Sequence, residues 1–130
     1  MVQFISAIAL VVPCYEAAKS FYVDKLGFVL IEDTVLSDTK RWVIVAPNET
    51  AQTRLLLAKA DAEAQLSAIG NQTGGRVFLF LETHDFEADM RKMTAAGVKF
   101  LENPRHENYG KVVVFEDPFV NKWDLIQKHK

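Results

Sequence analysis

The feature that most constrains this 130-residue chain is that it repeats itself. An apolar segment, FISAIALVV, leads through YEAAKSFYVDKL to Gly27 and then FVLIED. Further on, RVFLFLET leads through FEADMRKMTAA to Gly97 and then VKFLEN. Tyr15-Glu16-Ala17 lies over Phe86-Glu87-Ala88, and Gly27 with Glu32 lies over Gly97 with Glu102 after a one-residue gap. A chain with this order folds as two similar modules, and each must form the same elements.

Each half reads as strand, helix and three further strands. Ala18, Phe21, Tyr22 and Leu26 recur at helical spacing in the first half, and Phe86, Met90 and Met93 do so in the second. Asp85 is placed to cap the second helix, and Gly27 and Gly97 sit where the two helices end. Short apolar runs follow at 28–32, 41–46 and 54–58, then at 98–102, 111–115 and 122–127, divided by turn residues such as Pro47-Asn48 and Asp117-Pro118. The fold class expected is α+β: eight strands in two tandem βαβββ modules forming an open, curved sheet around a cavity. Module 1 covers about 1–60, a linker of short helix (61–69) and flexible loop (71–75) follows, and module 2 covers about 76–130, all within one domain.

A sheet with one helix on one face leaves its other face to line a cavity. If Ile8, Leu10 and Val12 meet the helix, alternation turns Ala7, Ala9 and Val11 to that cavity, and Phe78 and Phe80 likewise in the fifth strand. In the last strand, Asp124 and Ile126 share a face. Alternation alone does not say which way Trp42 points.

Charge and cysteine content remove several functions. Fifteen Lys and Arg against seventeen Asp and Glu give a net charge of -2, without a basic face for a phosphate backbone, so nucleic acid is not expected as a partner. The apolar run at 4–12 is too short to span a bilayer and has no basic region ahead of it, so a cytoplasmic protein without a membrane partner is expected. A lone Cys14 makes neither an internal disulfide nor a cysteine metal cluster. Gly74-Gly75 is not a phosphate loop, because no Lys-Ser/Thr follows it and the next element is a strand.

The segments AIALVVPCYEAAKSFYVDKLGFVLIED, RVFLFLETHDFEADMRKMTAAGVKFLENP and YGKVVVFEDPFVNKWDLIQ, in their duplicated order, resemble the glyoxalase, bleomycin-resistance protein and extradiol dioxygenase group, the vicinal oxygen chelate superfamily. The resemblance covers nearly the whole chain. It implies paired βαβββ modules, a homodimer, and a divalent-metal site built from the first and last strands of each module. Carried over residue by residue, those positions are Ala7, Leu55, Phe78 and Asp124. Of these, only Asp124 offers a lone pair, and a divalent ion needs several oxygen or imidazole ligands. No cofactor is therefore expected, and a metal, if recruited, would use Asp124. Family members commonly carry Gly in the final hairpin turn, where this chain has Val120; positive φ strains a β-branched residue, so a different turn geometry is expected.

The polar candidates are few. Asp124 lies between Trp123 and Leu125, where a buried carboxylate must be paired, hydrogen-bonded or protonated. It would anchor a cationic or hydroxyl-bearing ligand, act as a general base, or be satisfied structurally by Arg41, Arg54 or a backbone amide. Arg105, His106, Glu107 and Tyr109 form a polar run before the seventh strand that would cap one end of the cavity; Arg105 suits a carboxylate, and His106 suits proton exchange near neutral pH. The bland alternative is a solvated hairpin loop. Trp42, Phe78, Phe80 and Tyr109, with Ala7 and Leu55, would line an apolar site.

Two functional readings follow. The first is a small-molecule-binding protein of the bleomycin-resistance type, with an apolar, metal-free cavity. The second is a glyoxalase-like lyase or isomerase, or a dioxygenase relative, acting on a small oxygenated metabolite. There Asp124 serves as base or metal ligand, and His106 or Arg105 assists.

Overall fold

In β1 (Ala7–Val12), Leu10 and Val12 are fully buried while Ala7 and Ala9 are exposed, as alternation requires. The computed structural model describes residues 2–129. After Pro13, the Cys14 Sγ accepts the Ala17 N–H at 3.3 Å and starts α1 (Tyr15–Lys19), which runs on as a π-helical stretch, Ser20–Lys25. Ala18, Phe21 and Tyr22 are buried, matching the helical spacing, and Leu26 is half-buried. Gly27, at φ 86°, turns the chain where a side chain would be strained.

Three antiparallel strands follow: β2 (Val29–Val35), β3 (Arg41–Ala46) and β4 (Arg54–Lys59). β4 returns parallel to β1, giving the order β1-β4-β3-β2. A short α2 (Glu63–Ala68) follows β4 and packs near β1. Contacts divide the chain after Ile69, so this helix, read from the sequence as part of a linker, belongs to the first of two compact units.

The second unit repeats the plan with β5 (Leu79–Glu82), α3 (Phe86–Ala95), β6 (Lys99–Phe100), β8 (Gly110–Glu116) and β9 (Lys122–Lys128), in the order β5-β9-β8-β6. β9 runs parallel to β5, as β4 does to β1. Asp85 caps α3, its Oδ1 accepting the Ala88 N–H at 3.2 Å. One strand exceeds expectation: the polar run at 105–107 is not a free loop but β7 (Arg105–Glu107), paired with β8. Polarity misled the sequence reading, because an edge strand with water on one side needs no apolar residues.

Each helix covers one face of its sheet. In the first unit Arg41 reaches over α1, its guanidinium 5.2 Å from the Tyr15 ring centre, so its face-mates Val43 and Val45 lie on the helix side; both are fully buried. In the second, the Gln127 Oε1 accepts the Phe86 N–H at 2.8 Å, which puts Trp123 and Leu125 on the helix side. There Trp123 stacks on Phe115 with ring centres 5.8 Å apart.

The final turn corrects one expectation. Val120 does take positive φ, 69°. The strain, about 1–3 kcal/mol for such a residue, is held by a buried polar clamp. The Asp117 Oδ1 accepts the N–H groups of Phe119 and Asn121, both at 2.9 Å, and its Oδ2 accepts the Asn121 Nδ2 at 2.8 Å. The Asn121 Oδ1 accepts the Gly70 N–H at 3.0 Å, which also ties down the start of the 71–75 connection.

Candidate functional site

The two sheets offer two far faces, away from their helices. In the first unit that face carries Ala7, Ala9 and Val11 from β1, Trp42 from β3, and Leu56 and Ala58 from β4. Val11 pairs with Ala58, and Ala9 with Leu56. Leu55 is a correction: it pairs with Ile8 and Val45, is 7% exposed, and belongs to the helix side with Leu57. Leu56 occupies the far-face position assigned to Leu55. Three consecutive leucines carry no alternation signal, so register alone decides between them.

A pocket of about 480 Å³ opens on this unit, within the range of ligand sites. Val11, Trp42, Leu56 and Ala58 supply apolar surface, and Lys40 and Asp61, 4.0 Å apart and exposed, supply charge. Trp42 is 40% exposed, an open aromatic side chain in the wall. Leu36, from the hairpin after β2, and Gln65, from α2, complete the enclosure. Neither was legible as lining, since both lie in connections whose path over the sheet is set by tertiary structure.

At the edge of the pocket, which Tyr15 and Arg41 also line, Asp33 lies on the helix side between two cations, Arg41 and Lys19. The Arg41 Nη2 donates to its Oδ2 at 2.5 Å, and the Lys19 Nζ donates to the same oxygen at 2.7 Å. These hydrogen bonds hold its carboxyl down at about 2. Arg41 also donates to Glu16, so it is not free for Asp124 as one sequence reading allowed.

The far face of the second unit carries Phe80 from β5, Asp124 and Ile126 from β9, Val112 and Val114 from β8, and Arg105 and Glu107 from β7. Phe80 lies directly beside Asp124 and is 67% exposed; Phe78, half-buried before the strand, shares its parity and donates its N–H to the Lys122 carbonyl at 2.8 Å. Asp124 is 8% exposed, and its buried Oδ1 has no hydrogen-bond partner. Burial pushes its pKa up, the Arg105 charge opposes that, and the Glu102 charge adds to it.

Arg105 does not reach Asp124 by a hydrogen bond among those it forms here. Its Nε donates to both Glu102 oxygens at 3.0 and 3.1 Å, and its Nη1 donates to Glu107 at 2.9 Å. Three carboxylates, those of Asp124, Glu102 and Glu107, therefore stand around one guanidinium. Glu102 was not singled out by sequence; it also accepts the Val114 N–H at 3.0 Å and so bridges β6 to β8.

Two other sequence candidates are placed elsewhere. His106 pairs with Lys111, which pairs with Gln127, so it lies on the helix side, opposite to Asp124. The period of two that puts Arg105 on the far face excludes its neighbour. Tyr109 sits at the β7–β8 turn, where its carbonyl accepts the His129 N–H at 3.0 Å. The adjacent Gly110 pairs with Lys128, four residues along β9 from Asp124, about 13 Å at strand rise. Tyr109 is no neighbour of the carboxylate.

The donor set does not fit a divalent metal. Of the positions the resemblance implies, Ala7 and Leu55 in the first unit offer no donor, and Phe78 and Asp124 in the second offer one carboxylate. The residues that actually pair across these strands, Ala9 with Leu56 and Phe80 with Asp124, add none. Among the described residues no three His, Cys, Asp or Glu side chains group as ligands for a metal ion.

A sequence model described as the Glyoxalase/Bleomycin resistance protein/Dioxygenase superfamily matches residues 4–125. An uncharacterized protein of Shewanella frigidimarina (strain NCIMB 400) is 52% identical over 98% of this chain and 95% of its own length. Among solved structures, UcmS2 superposes with a TM-score of 0.83 at 26% identity, covering 97% of this chain and 98% of that one. TnmS3, an antibiotic binding protein from Streptomyces sp. CB03234, superposes with a TM-score of 0.80 at 29% identity, with 98% of each chain covered. With the βαβββ order present twice and the family match running from before β1 into β9, the chain belongs to the Glyoxalase/Bleomycin resistance protein/Dioxygenase superfamily.

Proposed function

We propose that this protein binds a small, flat, largely apolar molecule, and that it does so without a divalent metal. The observation that carries the reading is the pocket of about 480 Å³ with the open Trp42 side chain in its apolar wall. An aromatic wall exposed in a pocket gains from stacking a flat ligand, whereas Trp packed for stability alone is usually well buried, as Trp123 is at 3%. The family and the likeness to an antibiotic binding protein support the same reading.

Catalysis by Asp124 is the competing reading, and its raised pKa favours it. A proton-transfer mechanism with His106 as assistant is disfavoured, because that side chain belongs to the opposite face of the sheet. Binding therefore ranks first.

Titration of the purified protein with anilinonaphthalene sulfonate, followed by dye fluorescence in excess EDTA, tests this. The expected result is saturable binding that EDTA leaves unchanged and that Trp42→Ala weakens by about tenfold, the order of a lost aromatic stacking partner. Unchanged affinity in a folded Trp42→Ala protein, or binding that returns only with added metal, overturns it.

A further inference from the structure

Asp124 is a carboxyl group whose Oδ1 the fold buries without a hydrogen-bond partner. Its Oδ1 is sealed from water and accepts nothing, although a guanidinium, Arg105, belongs to the same face. That guanidinium donates its Nε to Glu102 and its Nη1 to Glu107, and acts on Asp124 only through its charge. A buried polar atom in this state is costly unless something outside the chain completes it. Directly beside it, Phe80 turns an aromatic ring out to solvent, 67% exposed.

The charge balance selects the missing group. By register the face carries five carboxylates (Glu82, Glu102, Glu107, Glu116 and Asp124) against four cations (Lys99, Arg105, Lys122 and Lys128). With Lys99 and Lys128 paired to Glu116 and Glu82, the immediate surroundings of Asp124 hold more negative than positive charge, so a second anion is repelled and a cation is drawn in. An ammonium also supplies what the oxygen lacks, a charge-assisted hydrogen-bond donor. Phe80 adds a ring for a flat apolar body or for a cation over its face.

We propose that the far face of the second unit is a recognition site for an organic amine attached to a flat apolar body, with Asp124 receiving the ammonium and Phe80 the ring. This rests on the reading of the chain as a small-molecule binder, but not on the Trp42 pocket.

Three compounds with one ring system separate the head group from the body: 1-naphthylmethylamine, 1-naphthylmethanol and 1-naphthoic acid, titrated by calorimetry at pH 7.5 in EDTA. The expected order is amine tightest, by tenfold or more over the alcohol, and acid weakest. Asp124→Asn, which keeps shape and removes charge, is expected to erase that preference, and Trp42→Ala to leave it in place. Equal affinity for the three head groups, a preference that survives in Asp124→Asn, or failure of all three compounds to bind overturns the inference; the small-molecule reading stands or falls separately, on the dye titration. Should Asp124→Asn not fold, the carboxyl carbon resonance of Asp124 in the unsubstituted protein decides: it shifts on addition of the amine and not of the acid, and a resonance unmoved by the amine refutes the proposal.

Discussion

Where the first strand of each unit runs parallel to the last, the first unit pairs Ala9 with Leu56 and the second pairs Phe80 with Asp124. The backbone arrangement is the same; the chemistry is not. On the helix sides the two units remain alike, with Leu10, Leu57, Val43 and Val45 in one and Trp123, Leu125, Val113 and Phe115 in the other, all buried and apolar. The duplicated fold is thus defined by one face of each sheet, and the other face is left to differ. Fold and site are written on alternate residues of the same strands, which is why neighbours in sequence carry unrelated duties.

The sharpest way to break that comparison is to truncate two adjacent leucines. Leu57 is fully buried on the helix side and Leu56 is half-buried on the far face. Leu57→Ala is expected to lower unfolding free energy by about 2–5 kcal/mol, the range for a large-to-small core change, and Leu56→Ala by about 1 kcal/mol or less. Urea unfolding of both variants checks this. Equal losses would mean that the far face contributes as much to stability as the helix face, and the division between fold and site would fail.

A smaller contrast lies in two aspartates. Asp33 of the first unit sits between Arg41 and Lys19 with its pKa held at about 2, below the ordinary 3.8. Its native form binds protons less tightly than the unfolded chain, so its stabilisation is full above the unfolded value of 3.8 and is lost as pH falls through about 2. Asp124 of the second unit has its pKa raised by burial, so the sign reverses: its native form holds the proton more tightly. Its favourable contribution is present below 3.8 and is lost as pH rises through the raised native value. Urea midpoints measured from pH 2 to pH 8 should therefore show Asp33→Asn flattening the acid limb, by about 1 kcal/mol once screening of a partly exposed pair is allowed for. Asp124→Asn should flatten the fall on the other side. If both variants change the same limb in the same direction, the two carboxylates do not differ as their surroundings require.

The architecture was legible in the sequence because two helical stripes, two terminal glycines and two sets of strands recur in the same order. Asp124 was legible too, as a charge inside an apolar strand. Three things were not. The face of Leu55 was hidden in a run of leucines. The pairing of Arg105 with Val112 was hidden by polarity, and the walls at Leu36 and Gln65 belong to connections that gain meaning only against the sheet they cross. In each case what was missing was register or path, which depends on residues far away in sequence.

The smallest expected effect is the most economical test of face assignment. His106 is exposed on β7, between Arg105 and Glu107, which both point to the face of Asp124. A strand's period of two sends His106 to the other side, toward Lys111 and Gln127. His106→Ala is therefore expected to change stability by less than about 0.5 kcal/mol, as a surface substitution does, and to leave naphthylmethylamine affinity within about twofold. Thermal melts and the same calorimetric titration measure both. A tenfold loss of amine affinity would mean that β7 presents His106 to the ligand in place of Arg105, a register shift of one residue, and would move the guanidinium and its two carboxylates away from Asp124 at the same stroke.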